Sequence, residues 1–131
     1  MADYIADCRS NYVRAKNPKR FKDLLMEYDV QIIESDDERI GFISNDAMGI
    51  PHWLDDESHT RTLDEDERVA KHLAEGETLI IYEIGREGMR YLIGYAVAMN
   101  WDGRSCHVTL DEIYSRAEAN FGNKPKTEAA Y

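Results

Sequence analysis

Apolar and polar residues recur along the chain at periods that predict its first helix and first hairpin. Over residues 17–28 the apolar side chains follow helical spacing, and Asn17-Pro18 supplies an N-cap and then proline at the first helical position. Residues 30–33 and 40–43 are rich in β-branched and aromatic side chains and flank a short polar link. That pattern is typical of a β-hairpin, so a hairpin is predicted to follow the helix.

An aperiodic segment, 45–61, predicts a long loop, and the sequence after it predicts two more helices. Residues 62–65 (Thr-Leu-Asp-Glu) form a capping box that is expected to open the second helix, with Gly76 ending it. A similar box at 109–112 is expected to open the last helix, with Gly122 ending it. The apolar residues of the last helix are expected to face the core: Leu110, Ile113, Tyr114, Ala117 and Phe121.

Two apolar segments between these helices predict a second hairpin, with strands at 79–84 and 89–99 and a turn at 85–88. A further turn is predicted at 101–104 and a short edge strand at 105–108. In the longer strand, bulky residues alternate with small ones, so one face is bulky and the other small. A small face is expected where a helix backbone packs close to a sheet. The bulky positions are Met89, Tyr91, Ile93, Tyr95, Val97 and Met99.

The predicted order is strand, helix, hairpin, helix, hairpin, edge strand and helix. Short polar links imply antiparallel pairing, so the predicted class is α+β: an antiparallel sheet of four to six strands, with about three helices on one face. The first part has the β-α-β-β-α-β order of a ferredoxin-like fold, with an added hairpin and C-terminal helix. The length of 131 residues fits a single domain, with an ordered core at about 10–122 and a frayed tail at 123–131.

The composition narrows the classes of protein. Apolar residues make up 43% of the chain, enough for one core, and no apolar run of 18 residues predicts a membrane span. The polar N-terminal sequence does not resemble a secretory signal, so a reducing, cytoplasmic location is expected. The two cysteines, Cys8 and Cys106, are far apart in the sequence. Arg9 beside Cys8 could lower the pKa of that thiol, but a single neighbouring cation is weak evidence, so both cysteines are expected to be inert.

The net charge of −10 is concentrated in one part of the chain. Residues 34–87 carry sixteen acidic and five basic residues, which gives −11 and accounts for the whole imbalance. We expect three acid clusters in this block to form a binding face, with Trp53 in the adjoining loop as a possible anchor. The clusters are Asp36, Asp37 and Glu38; Asp55, Asp56 and Glu57; and Asp64, Glu65, Asp66 and Glu67.

Motifs for catalysis are weak in this sequence. There is no Gly-rich phosphate loop, no nucleophile elbow and no His-Glu-x-x-His pattern, so we expect no catalytic residue and no cofactor. His52, Asp55, Asp56 and His59 lie in one loop and have the nitrogen and oxygen atoms that bind divalent metals. Their spacing matches no recognised zinc motif, so a metal-dependent hydrolase is the third hypothesis.

Two segments, Ser10 to Asn17 and Gly85 to Gly94, resemble a family of small acidic accessory proteins of phages, plasmids and integrative elements. The similarity covers about residues 10–121, and its motifs are structural. The resemblance implies a mobile-element setting, in which accessory proteins often neutralise restriction or CRISPR systems. It brings no catalytic residues.

The leading functional hypothesis is a non-enzymatic inhibitor of the anti-CRISPR or antirestriction type. Its acidic face would mimic DNA and dock on a basic protein surface, plausibly that of a nucleic-acid-binding host protein. Direct binding to nucleic acid is not expected at a pI near 4.8, and membrane binding is not expected either. The second hypothesis is a homo-oligomer, such as a homodimer, whose interface uses apolar residues of the 89–99 strand and Trp53.

Overall fold

The computed structural model describes residues 4–55, 61–88, 91–123 and 125–127. Within them the strands and helices follow one another in the predicted order. The strands are β1 (Tyr4–Ser10), β2 (Val30–Glu34), β3 (Ile40–Ser44), β4 (Thr78–Glu87), β5 (Tyr91–Asn100) and β6 (Ser105–Thr109). The helices are α1 (Pro18–Leu25), α2 (Arg68–His72) and α3 (Glu112–Phe121), and Leu63–Glu65 forms a 3-10 turn.

The strands form one six-stranded sheet in the order β2-β3-β1-β4-β5-β6, and each neighbouring pair is antiparallel. The first four strands have the order and directions of a split β-α-β unit, because β1 lies between β3 and β4. The β5–β6 pair extends the sheet beyond β4. The predicted α+β class is therefore confirmed, including the ferredoxin-like order and the added hairpin.

Helix α1 begins where its sequence predicts. The Asn17 side chain accepts a hydrogen bond from the Arg20 amide at 3.1 Å, and Pro18 occupies the first turn. Phe21 and Leu25 are fully buried, as the apolar stripe predicts. The helix ends before Tyr28, which pairs with the loop beyond β3 instead of continuing the helix.

The core lies between one face of the sheet and helices α1 and α2; we call this side of the sheet the covered face. In β4, Leu79 and Ile81 point to the covered face and are fully buried, whereas Tyr82 and Ile84 point away and are 52% and 68% exposed. We call that opposite side the open face. Other fully buried core residues are Phe21, Leu25, Tyr28, Ile40, Phe42, Leu63, Val69 and Leu73.

The capping box predicted at 62–65 is wrong. The Thr62 side chain makes no capping hydrogen bond, and residues 63–65 form a 3-10 turn. Helix α2 begins only at Arg68, whose amide donates to Asp66 Oδ1 at 3.0 Å, so Asp66 supplies the acceptor at the helix start. The helix ends at His72, before Gly76, because Leu73 pairs with Ala15 of the chain before α1.

The turn predicted at 85–88 begins later than expected, because β4 continues through Glu87. Pairing with β1 extends the strand, with Tyr4 opposite Glu87 and Ala6 opposite Gly85. A Cβ at Gly85 would lie 2.7 Å from Ala6 Cβ and 2.9 Å from the Ile5 carbonyl oxygen. Gly85 is therefore required for close approach of β1 and not for a turn. The turns and edge strand predicted at 101–104 and 105–108 are confirmed.

The small face of β5 is not the face that the helices cover. Val97 and Met99, on the bulky face, are each 6% exposed and belong to the core beside α2. The small side chains, such as Ala96, lie on the open face. The prediction that a helix packs on the small face is wrong, because residues with larger apolar area take the covered side.

The predicted inward face of the last helix is also wrong. None of the ten residues of α3 is buried, and Ile113 and Phe121 are 61% and 74% exposed. The capping box at 109–112 is not formed: Thr109 belongs to β6, and the N-cap residue, Asp111, makes no side-chain capping bond. Gly122 ends the helix in the left-handed conformation, at φ 80°, as predicted. Of the predicted frayed tail, residues 124 and 128–131 lie outside the described residues.

Candidate acidic interaction surface

The first acid cluster lies in the β2–β3 turn and is partly neutralised by arginines. Asp37 accepts a hydrogen bond from Arg39 Nε at 2.9 Å and lies 3.6 Å from an Arg14 nitrogen. A hydrogen bond from the Ser35 hydroxyl, together with Arg39, lowers the pKa of Asp37. Asp36 and Glu38 are exposed on the same turn. This cluster therefore closes a hairpin turn as well as presenting charge.

The second cluster lies at the edge of the described structure. Asp55 is exposed, and Asp56 and Glu57 lie outside the described residues. The nearby Trp53 packs against the core, and its indole N–H donates to Glu27 Oε1 at 3.2 Å. The Arg61 guanidinium lies 4.2 Å from the centre of the Trp53 ring. These contacts give Trp53 a structural role at the core edge, whatever it contributes to binding.

The third cluster divides into buried and exposed carboxylates. Asp66 is 6% exposed and accepts hydrogen bonds from the Tyr28 hydroxyl and from Arg68 Nη2, both at 2.7 Å. Burial opposes ionisation, but the hydrogen bonds from Arg68 and Tyr28 outweigh it and lower the pKa of Asp66 to about 2. Asp66 is thus a charged structural residue. A helix start gains stability from one or two acidic residues, and this structural role accounts for one of the four in the cluster.

Asp64 lies beside Tyr95 of β5. The Tyr95 hydroxyl donates to Asp64 Oδ2 at 3.2 Å, and burial together with the Asp64 charge raises the pKa of Tyr95 to about 12. The other oxygen, Asp64 Oδ1, is buried and has no hydrogen-bond partner among the described residues. Glu65 and Glu67, the remaining members of the cluster, are exposed to solvent.

A groove of about 640 Å³ separates the third cluster from the β5–β6 turn. Met99, Trp101 and Ala70 supply its apolar lining. Five carboxylates line it against two cations, and one of the five, Asp66, is paired with Arg68 as described above. The charged lining residues are Asp64, Glu65, Asp66, Glu67, Asp102, Lys71 and Arg104. The groove therefore combines an apolar lining with a surplus of negative charge.

Trp101 and Asp102 are distant from the third cluster in sequence, and the tertiary fold brings them to the groove. Trp101 packs against the core and also lines the groove. Asp102 forms an ion pair with Arg104, with 2.7 Å between its Oδ2 and the Arg104 Nε. Pairing of the β5–β6 hairpin with β4 places both residues beside a cluster more than thirty positions earlier. The sequence signal available was a tryptophan and an aspartate in a predicted turn.

The structure brings the third cluster close to Trp53 and leaves the first cluster elsewhere. Arg68 bridges Asp66 to Glu27, at 2.7 Å and 3.0 Å, and Glu27 also binds Trp53. The first cluster follows β2, whereas the Tyr28–Trp53 pair precedes that strand. The first and third clusters thus lie towards opposite ends of β2.

Arg9 does not activate the neighbouring Cys8 thiol. Cys8 is buried on the covered face, while Arg9, its neighbour in β1, lies on the open face. Burial, with the charges of Glu83 and Asp64, raises the pKa of Cys8 to about 12, so Arg9 does not lower it. Cys106 is exposed on β6, and both cysteines are free thiols.

The metal hypothesis concerns residues that are only partly described. His59 and Asp56 lie outside the described residues, and the His52 backbone pairs with Thr62. Among the residues that the structure does describe, no group of three or more His, Cys, Asp or Glu side chains could hold a metal ion. Within the same residues, no helix is long and apolar enough to cross a membrane.

Comparison with known proteins gave no match to any family model, curated protein or solved structure. The function is therefore argued from the site itself, and the resemblance to mobile-element accessory proteins stays a prediction.

Proposed function

We propose that this chain is a non-enzymatic binding protein whose acidic groove docks on a basic surface of a nucleic-acid-handling protein. The single observation that carries the proposal is the groove between the third acid cluster and the β5–β6 turn, with its surplus of carboxylates around an apolar lining. The fold places exposed carboxylates beside Trp101. A partner's arginine or lysine can therefore pair its charge with the carboxylates and pack its aliphatic stem on the apolar lining.

The chemistry of such a partner follows from the groove lining. An arginine can lay its aliphatic stem and planar guanidinium on Trp101 and Met99 while its N–H groups reach Glu65 and Glu67. Proteins that hold duplex DNA present such cations in rows, because DNA carries one negative charge per about 1.7 Å of its axis. If this chain occupied the row of cations on such a partner, it would exclude the nucleic acid from that site.

The biological setting in this proposal is inhibition of a host defence system of the restriction or CRISPR type. The resemblance of residues 10–17 and 85–94 to mobile-element accessory proteins supports that setting. We place the encounter in the cytoplasm, where two free thiols, Cys8 and Cys106, remain reduced.

The experiment is affinity capture from a bacterial lysate at about 50 mM and about 500 mM NaCl, a range across which exposed charges become strongly screened. We expect basic nucleic-acid-binding proteins to be retained by the wild-type chain at low salt and released at high salt, and the double variant Glu65→Gln/Glu67→Gln to retain much less of them. The matched control, Asp23→Asn/Glu75→Gln, removes the same charge from exposed positions outside the groove lining.

An oligo-arginine peptide provides a defined probe of the groove. Loss of two rim carboxylates, each worth about 0.5–1 kcal/mol, should weaken its binding roughly tenfold, while the control variant keeps near wild-type affinity. Equal weakening by both variants would show a response to net charge alone and would contradict the assignment of the groove.

A further inference from the structure

A second surface of the molecule is apolar, almost uncharged and opposite the core. On the open face, large apolar side chains are between 42% and 68% exposed: Ile5, Tyr82, Ile84, Leu92, Val108 and Leu110. The strand register makes them neighbours, since Tyr82 is opposite Ala96 and Ala96 is opposite Val108. The Leu110 side chain packs over Gly94 on the same face. The exposed residues thus form one patch across β4, β5 and β6, with Ile5 of β1 beside it.

The area of this patch is close to what one side of a protein interface needs. A large apolar side chain that is about half exposed contributes on the order of 100 Å², so six contribute roughly 600 Å². A standard interface buries about 800 Å² per partner, and contiguous apolar patches of this size mark interaction sites. The partly buried residues Ile43, Ile80 and Ala96 on the same face add to the total.

The charge pattern identifies which partner fits. Of the described strand residues on the open face, the charged ones are Asp7, Arg9 and Arg86, a net of +1 in a chain of net −10. Two copies of an acidic chain repel across most of their surfaces, and on this face that repulsion is absent. In a two-fold arrangement with antiparallel β1 strands, Asp7 of each copy faces Arg9 of the other at the edge of the apolar patch.

We propose that the open face is the contact between two copies of this chain. The interface differs from the one expected from sequence, since Val97 and Met99 are buried in the core and Trp53 is packed at its edge. Leu110 at the rim comes shortly before α3, in which Ile113 and Phe121 are also exposed. The dimer leaves the acidic groove on the covered side accessible, so it does not depend on the proposed function.

The test is the mass of the full chain in solution, measured by light scattering at about 100 µM protein, a concentration at which even a weak dimer is populated. We expect twice the chain mass of 15.1 kDa, with no loss of dimer in about 1 M NaCl because the contact is mainly apolar. Ile84→Lys should weaken the dimer at least tenfold, since it places a cation in the centre of the patch.

Met26→Lys is the matched control, because Met26 is 56% exposed at the end of α1 and lies outside the open face. Circular dichroism melting checks that each variant is folded. A monomeric wild-type chain overturns the proposal, as does a dimer that survives both Ile84→Lys and Leu92→Lys. A monomer whose open face is covered by a different protein overturns it equally.

Discussion

The two faces of the sheet differ in burial although both carry apolar residues. In β4, Ile81 and Ile84 lie three positions apart, yet Ile81 is fully buried and Ile84 is 68% exposed. Both faces are rich in apolar residues, so alternation in the sequence does not distinguish them. What distinguishes them is cover: helices α1 and α2 pack on one side, and α3 buries none of its residues.

The largest expected difference between the faces is in core stability. Ile81→Ala should lower the free energy of unfolding by about 2–5 kcal/mol, because it removes buried methyl groups and leaves a cavity. Ile84→Ala, the same substitution in the same strand, should cost the monomer less than about 1 kcal/mol when the protein is diluted below the concentration at which the proposed dimer forms. Urea unfolding of the two variants measures both values. Similar losses would mean that the open face is covered in solution, as it would be in a stable dimer.

A second prediction separates structural from surface acids on the covered side. Asp66→Asn should destabilise the fold by roughly 2 kcal/mol, since it weakens the hydrogen bonds with Tyr28 and Arg68. Glu67→Gln, one position away and exposed, should change stability by less than about 0.5 kcal/mol. Thermal melts at neutral pH measure the loss of stability in each variant. Equal losses would contradict a structural role for Asp66.

The same pair predicts a pH dependence. The pKa of Asp66 is lowered from 3.8 to about 2 in the fold, so its stabilisation is present above pH 3.8. That contribution is lost as the pH falls through about 2, because the protonated side chain no longer favours the folded state. The stability gap between wild type and Asp66→Asn should therefore shrink from pH 4 towards pH 2. A gap that stays constant over this interval would contradict the assignment.

The covered and open faces should also differ in how well they tolerate a glycine-to-alanine substitution. A Cβ at Gly85 meets Ala6 and the Ile5 carbonyl oxygen of β1, which cannot move without disturbing the sheet, so Gly85→Ala should cost about 1–3 kcal/mol. A Cβ at Gly94 meets the Leu110 side chain, which is 58% exposed and free to move, so Gly94→Ala should cost under about 1 kcal/mol. Chemical unfolding measures both. Equal costs would show that Leu110 is held in place.

The smallest expected difference between the faces is in the reactivity of their cysteines, and measuring it leaves the fold intact. Cys106 is exposed on the open face, and Cys8 is buried on the covered face with its pKa raised to about 12. Iodoacetamide should therefore modify one thiol in the native protein and two after unfolding. Mass spectrometry at low protein concentration identifies the modified residue. Native modification of Cys8 would mean that the covered face opens readily.

Local signals predicted the elements that depend on neighbouring residues. Asn17-Pro18 begins α1 because an N-cap side chain and a proline act within one turn, and Gly122 ends α3 because its backbone adopts positive φ. The β2–β3 hairpin and the β6 edge strand likewise follow from short-range pattern. The acid-rich block was also visible, although its division into structural and exposed carboxylates was not.

Contacts distant in sequence decided the rest. The box at 62–65 fails because Tyr28 and Arg68 hold Asp66 outside the helix, and Gly85 stays in a strand because β1 pairs along it. Sequence determined that this is an acidic α+β chain. Only the tertiary structure decided which face the helices cover, because hydrophobic burial has no direction and is satisfied by whichever packing removes most apolar area from water.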